Sequence, residues 1–114
     1  MAEVTRGKLV CLAGQVAFDL QGNLVGKDDV EAQVRQVFAN LSAALKSRRR
    51  RLPSRDQIEL LLRGHCRARG CLPAIKTVRD SVVNSAALPA STFVVIRKLA
   101  RPELLIEVEA VAVV

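Results

Sequence analysis

The chain has no tryptophan and no tyrosine, and only three phenylalanines among its 114 residues. A stacking surface for nucleic acid needs aromatic rings between its cations, so this shortage argues against that class whatever the charge. No apolar run approaches the roughly 18 residues of a membrane span. The first residues, MAEVTRGKLVCLAGQV, lack a charged start followed by a long apolar block. Both absences predict a soluble protein, with the cytoplasm as the expected location and no membrane partner. Three cysteines, Cys11, Cys66 and Cys71, are an odd number at uneven spacing. That excludes a closed disulfide framework and suits a reducing compartment. His65-Cys66 with Cys71 supplies three ligand types but no second pair at zinc spacing, so neither a metal nor a cofactor is expected. Cys11, within an apolar strand, reads as buried packing.

Charge is abundant but uneven. The formal net charge is +7. Between residues 46 and 71, Lys46 and the arginines at 48, 49, 50, 51, 55, 63, 67 and 69 make nine cations against two acids, Asp56 and Glu59. The whole excess therefore sits in that block, and the rest of the chain is neutral. A single domain spanning 1–114, with an atypical Arg-rich segment at 47–71, follows from length and composition.

Outside the block the periodicity is legible. Leu9 to Ala13 is a short apolar run, and Gln21-Gly22-Asn23 carries turn chemistry, which predicts two strands with a hairpin-like reversal near Gly22. Gly14 between apolar runs marks a bulge or a close backbone approach. From Val30 the period changes. Apolar residues at 30, 34, 37, 38, 41, 44 and 45 fit one face of a helix through Lys46, capped by Asp28 or Asp29. Were Asp28 the cap, Glu31 would complete an approximate capping box.

A second helix begins at Leu72-Pro73-Ala74-Ile75 and ends within Asn84–Pro89. Thr92–Ile96 and Leu104–Val113 read as strands. In the last, Ile106, Val108, Ala110 and Ala112 share one face, while Glu107 and Glu109 lie on the other with Val111 and Val113. Two carboxylates on a largely apolar face need partners. The pattern indicates an α+β sandwich with two helices on one face of a sheet, whose other face a second copy would cover.

GQVAFDLQGNLVGKDDVEAQVRQVFANLSAAL resembles the first half of the RidA/YjgF family of enamine/imine deaminases, and LPAIKTVRDSVVNSAALPASTFVVIRKLARPELLIEVEAVAVV resembles the second. The resemblance implies a chorismate-mutase-like α+β fold and a homotrimer whose sheets form a central β-barrel, with ligand clefts between subunits. It implies hydrolysis of 2-iminobutanoate, 2-iminopropanoate or the parent enamines to 2-keto acids and ammonia, a role in clearing reactive metabolites. The expected partners are thus a small carboxylate-bearing imine or keto acid and two further copies of the chain. By resemblance Glu107 orients the attacking water, and Ser91, Gly14 and Gln15 line the substrate site.

Ser91 stands where the family's Pro-Ala-Arg motif has its carboxylate-binding arginine. A guanidinium offers two charge-assisted donors worth about 1.5 to 3 kcal/mol each, whereas a hydroxyl offers one neutral bond of about 0.5 to 1.5 kcal/mol. Weak carboxylate binding is the expectation. A non-catalytic module of the same fold, for small ligands or RNA, is the alternative.

The block at 47–71 has two explanations. Compensating frame changes in the encoding DNA would turn an Ala/Gly-rich loop and a strand into arginine-rich text. Taken as written, Ile58, Leu60 and Leu62 form one face of a strand, with Arg48 to Arg51 in a solvated loop. Phosphate contacts by these arginines are the functional reading; incidental charge on a loop is the favoured one.

Overall fold

The structure, a computed structural model, describes residues 7–49, 58–67, 70–82 and 89–113. Four strands and two helices follow in the order β1 (Leu9–Gln15), α1 (Val30–Arg49), β2 (Ile58–Cys66), α2 (Cys71–Val82), β3 (Ala90–Val95) and β4 (Ile106–Val113). The strands make one mixed sheet in the order β1-β4-β2-β3. β4 runs antiparallel to both β1 and β2, and β2 runs parallel to β3 through the α2 crossover. This is the expected α+β architecture, two helices against one face of a sheet.

The helix face of the sheet is apolar because strand period and helix period meet there. Val34, Val37, Phe38 and Leu41 of α1 and Ile75 and Val78 of α2 pack with Leu62, Cys66, Ile106, Val108 and Ala110 of the sheet. In β4 the alternation is as the sequence predicts: the even-numbered residues are buried, while Glu107, Glu109 and Val111 point away and are half-buried. Asp29 caps α1, its Oδ1 accepting the Ala32 amide at 3.1 Å. Asp28, the other candidate, has a left-handed backbone with φ 58°. With the cap at Asp29, Glu31 falls one position short of a capping box and pairs instead with Arg35 at 2.7 Å.

Some expectations are corrected. The second strand of the early hairpin contracts to a single bridge, Phe18 with Leu24, because Asp19 closes a tight turn there. Asp19 Oδ1 accepts from the Gln21 and Asn23 amides, each at 2.9 Å, and Gly22 takes φ 80°. The strand that the Arg-rich block offers when taken as written is present, and it lies in the middle of the sheet. β2 pairs with β4 from Ile58 to Cys66, with a register shift between Glu59 and Leu61, and with β3 from Leu61 to Cys66. It extends past Leu62 through Arg63-Gly64-His65-Cys66, and Gly64 permits this, since a Cβ there would fall 2.0 Å from Phe93 Cδ1. Cys11 is exposed, not buried, because its side chain points to the open face of β1. Arg48 and Arg49, expected in a solvated loop, continue α1 past Lys46, while Arg50, Arg51, Arg55 and Arg69 and the helix stop at Asn84 to Leu88 lie outside the described residues.

One buried polar residue links the layers. Gln33 is wholly buried in α1, donates to the carbonyls of Gly26 at 3.0 Å and Glu103 at 2.9 Å, and accepts the Leu105 amide at 2.9 Å. Position 33 lies three residues after Val30 and four before Val37, so helical spacing itself places it inward. No helix among the described residues is long and apolar enough to cross a membrane.

Candidate functional site

The sheet's open face carries the titratable groups. Residues paired across strands share a face, so Leu61, Arg63 and His65 of β2 lie with Val111, Glu109 and Glu107 of β4. Glu109 meets Arg63 at 3.7 Å, which supplies one of the two partners the sequence demanded. A cavity of about 340 Å³ beside this pair is lined by Cys11, Ala13, Leu61 and Val111 among others. Glu107 stands opposite His65, and among the described residues it enters no ion pair and no hydrogen bond.

What positions Glu107 is the bulge in β1. Between Leu12, paired with Ala110, and Gln15, paired with Val108, two residues of β1 face one of β4. The extra residue brings Gly14 against the Glu107 side chain: a Cβ on Gly14 would lie 2.0 Å from Glu107 Oε1, 2.7 Å from Cδ and 2.9 Å from Cγ. Only glycine leaves that carboxylate in place. Beyond the bulge, Gly14, Gln15, Phe18 and Asn40 border a cleft of about 430 Å³. Asn40 Nδ2 fixes its rim by donating to the carbonyls of Val16 at 3.1 Å and Phe18 at 2.9 Å. Gln15 Nε2 turns back to the Ala13 carbonyl at 3.1 Å.

Ser91 lies elsewhere. It pairs with Leu62 on the helix side of the sheet, and its hydroxyl donates weakly to the Pro89 carbonyl at 3.4 Å. Glu107 is three registers further along β4 and on the other face, roughly 10 Å along the strand direction and roughly 10 Å across it. The structure therefore seats Glu107 against Gly14, places Gln15, paired with Val108, on the helix side of the sheet, and leaves Ser91 outside that neighbourhood within a single chain. Arg97 and Arg101 do not replace the missing guanidinium beside Ser91, since both follow the far end of β3.

Cys66 and Cys71 are buried together at the end of β2 and the start of α2. The hydrogen bond between Cys66 and Cys71, then burial, then the charge Cys71 would carry, push the Cys66 thiol far up from its ordinary range. It is no nucleophile at neutral pH. His65 points to the opposite face, and among the described residues no three His, Cys, Asp or Glu side chains gather as metal ligands.

The comparisons with known proteins agree with this architecture. The Endoribonuclease L-PSP family model matches residues 2–114. A Rid-family protein of unknown function from Yersinia pestis, YyfB, is 34% identical, covered over 98% of this chain and 83% of its own, with a TM-score of 0.79. At the level of fold alone, RidA from an Antarctic Psychrobacter superposes with a TM-score of 0.76 at 20% identity, over 97% of this chain and 85% of that one. A YjgF-family member from Neisseria meningitidis gives 0.72 at 24% identity, over 94% and 79%. Among curated proteins none matches the chain. With a sheet and helices of this topology, and a family match along nearly its whole length, the chain belongs to the RidA/YjgF family.

Proposed function

We propose that the chain, as one domain over residues 1–114, is a cytoplasmic imine and enamine deaminase of the RidA type with lowered affinity for carboxylates. The observation that carries this reading is the Glu107 carboxylate, half-buried, seated against Gly14, and with no ion pair or hydrogen bond among the described residues. A carboxylate so held is suited to take a proton from water. The water oxygen adds to the C2 carbon of an iminium such as 2-iminopropanoate, and its proton passes to Glu107. Return of that proton to nitrogen makes ammonia the leaving group, and as the C–N bond breaks the hydroxyl proton passes to Glu107, which leaves the 2-keto acid. No cofactor is needed, because the imine carbon is already electrophilic.

The working unit is a homotrimer. Leu9, 65% exposed, and Val94, 44% exposed, lie with Cys11, Ala13 and Val111 on an open sheet face that a lone chain leaves wet. Burial of that face against two copies would close a barrel. The placement of Ser91 and Glu107 on opposite faces fits a cleft to which two subunits contribute.

Replacement of the family's arginine by Ser91 favours a second reading, a non-catalytic module for small carboxylates. Hydrolysis of 2-iminopropanoate, generated in place by an amino-acid oxidase, separates the two. Turnover by the wild type that Glu107→Gln abolishes supports the deaminase. Absence of turnover, with saturable binding of pyruvate, supports the module.

A further inference from the structure

The turn between β3 and β4 gathers four cations that the reading above does not use. Arg67, at the end of β2, and Arg97, Lys98 and Arg101 line a cleft of about 450 Å³ whose remaining wall is Leu99, Ala100 and Pro102. Three of the four come from the part of the chain that is neutral overall, and the fold brings Arg67 to them. Among the described residues the only carboxylate paired with any of them is Glu103, 3.6 Å from Arg101.

The frame beneath these side chains is fixed. The Ile96 amide donates to the Cys66 carbonyl at 2.7 Å, and the Arg67 amide donates to that of Leu105 at 2.9 Å. Gln33, wholly buried, holds the Glu103 carbonyl and the Leu105 amide from below. The Arg67 guanidinium donates to the Pro102 carbonyl, and that of Arg101 lies 5.2 Å over the Phe18 ring. Like charges held on such a frame repel one another, and a bound oxyanion removes that repulsion.

We propose that this cleft binds a small organic phosphate. Arg67, Arg97 and Lys98, none of them in an ion pair among the described residues, match a phosphoryl group of two or more negative charges better than a single carboxylate. Leu99, Ala100 and Pro102 give the organic part an apolar wall. The cleft's volume suits a small molecule. Its cations follow the ends of β2 and β3 far from Ser91, so it is separate from the site of the motif departure.

The test is amide NMR of the full chain, titrated at constant ionic strength with inorganic pyrophosphate, with pyruvate, and with a short RNA. Pyrophosphate should shift the signals of residues 96–102 saturably, at least tenfold more tightly than pyruvate. The double variant Arg97→Gln/Lys98→Gln, both positions exposed, should weaken it by tenfold or more, and Lys98→Gln alone by a smaller factor. Lys8→Gln/Lys27→Gln, exposed elsewhere, should leave it unchanged. Equal loss in both double variants, equal affinity for pyruvate, or shifts produced only by RNA would overturn the proposal.

Discussion

Replacing Gly14 by alanine should separate function from stability, because the atoms that must give way, Oε1, Cδ and Cγ of Glu107, belong to a side chain and not the backbone. The new Cβ would sit 2.0 Å from Glu107 Oε1, while ordinary contact begins at 3.4 Å, so the oxygen must withdraw by about 1.4 Å. Displacing a catalytic group by about 1 Å can cost about 100-fold in rate. The fold loses little. Gly14 is not among the glycines at positive φ, so alanine gains about 0.4 to 1 kcal/mol through the unfolded state. An off-rotamer Glu107 costs about 0.5 to 1.5 kcal/mol. The net change stays within about 1 kcal/mol, less than about 8 °C in Tm.

Gly64→Ala is the internal control. Its Cβ would meet Phe93 Cδ1 at 2.0 Å and Cε1 at 2.1 Å, and a packed ring cannot swing aside. That overpacking should cost about 1 to 3 kcal/mol. Thermal melts at equal protein concentration and the 2-iminopropanoate assay read the two effects. If Gly14→Ala melts as low as Gly64→Ala, the packing argument fails. If it keeps wild-type turnover, Glu107 does not orient the water.

Gln33→Leu should remove three hydrogen bonds and strand the Glu103 carbonyl and the Leu105 amide beneath the β3–β4 turn, at about 1 to 3 kcal/mol for each group left unsatisfied, while the Gly26 carbonyl keeps the Asp29 amide; a denaturant midpoint within error of wild type would contradict this. Ser91→Arg should lower KM for carboxylate substrates by tenfold or more with kcat little changed, as steady-state kinetics would show. Cys66 bears on alkaline stability. Its thiol loses a proton near 9.0 in the unfolded chain but keeps it in the folded one, so its contribution is full below that pH and falls above it, by about 1.4 kcal/mol per pH unit. Urea melts between pH 9 and 10.5 should show that slope, and Cys66→Ala should flatten it. Cys11, exposed in the single chain, should react with a thiol reagent on dilution and be protected at concentrations where the proposed trimer forms.

The sequence alone determined the elements whose period is self-announcing. Val34, Val37, Phe38 and Leu41 repeat at helical spacing, and Ile106 to Ala112 alternate, because each element must bury one face, and that need is written locally. The bulge at Gly14 was legible for a similar reason: a glycine between apolar runs marks a backbone that needs room. The tertiary structure decided the rest. It carried the strand in the Arg-rich block on to Cys66 and set it inside the sheet, since Leu61–Cys66 pairs with two neighbours that lie 29 or more residues away in sequence. It put Ser91 and Glu107 on opposite faces, which depends on register between β2, β3 and β4 and on no property of either residue. It exposed Cys11 and buried Gln33, because which face of a strand is covered, and which carbonyls lie beneath a turn, are set only when distant segments pack.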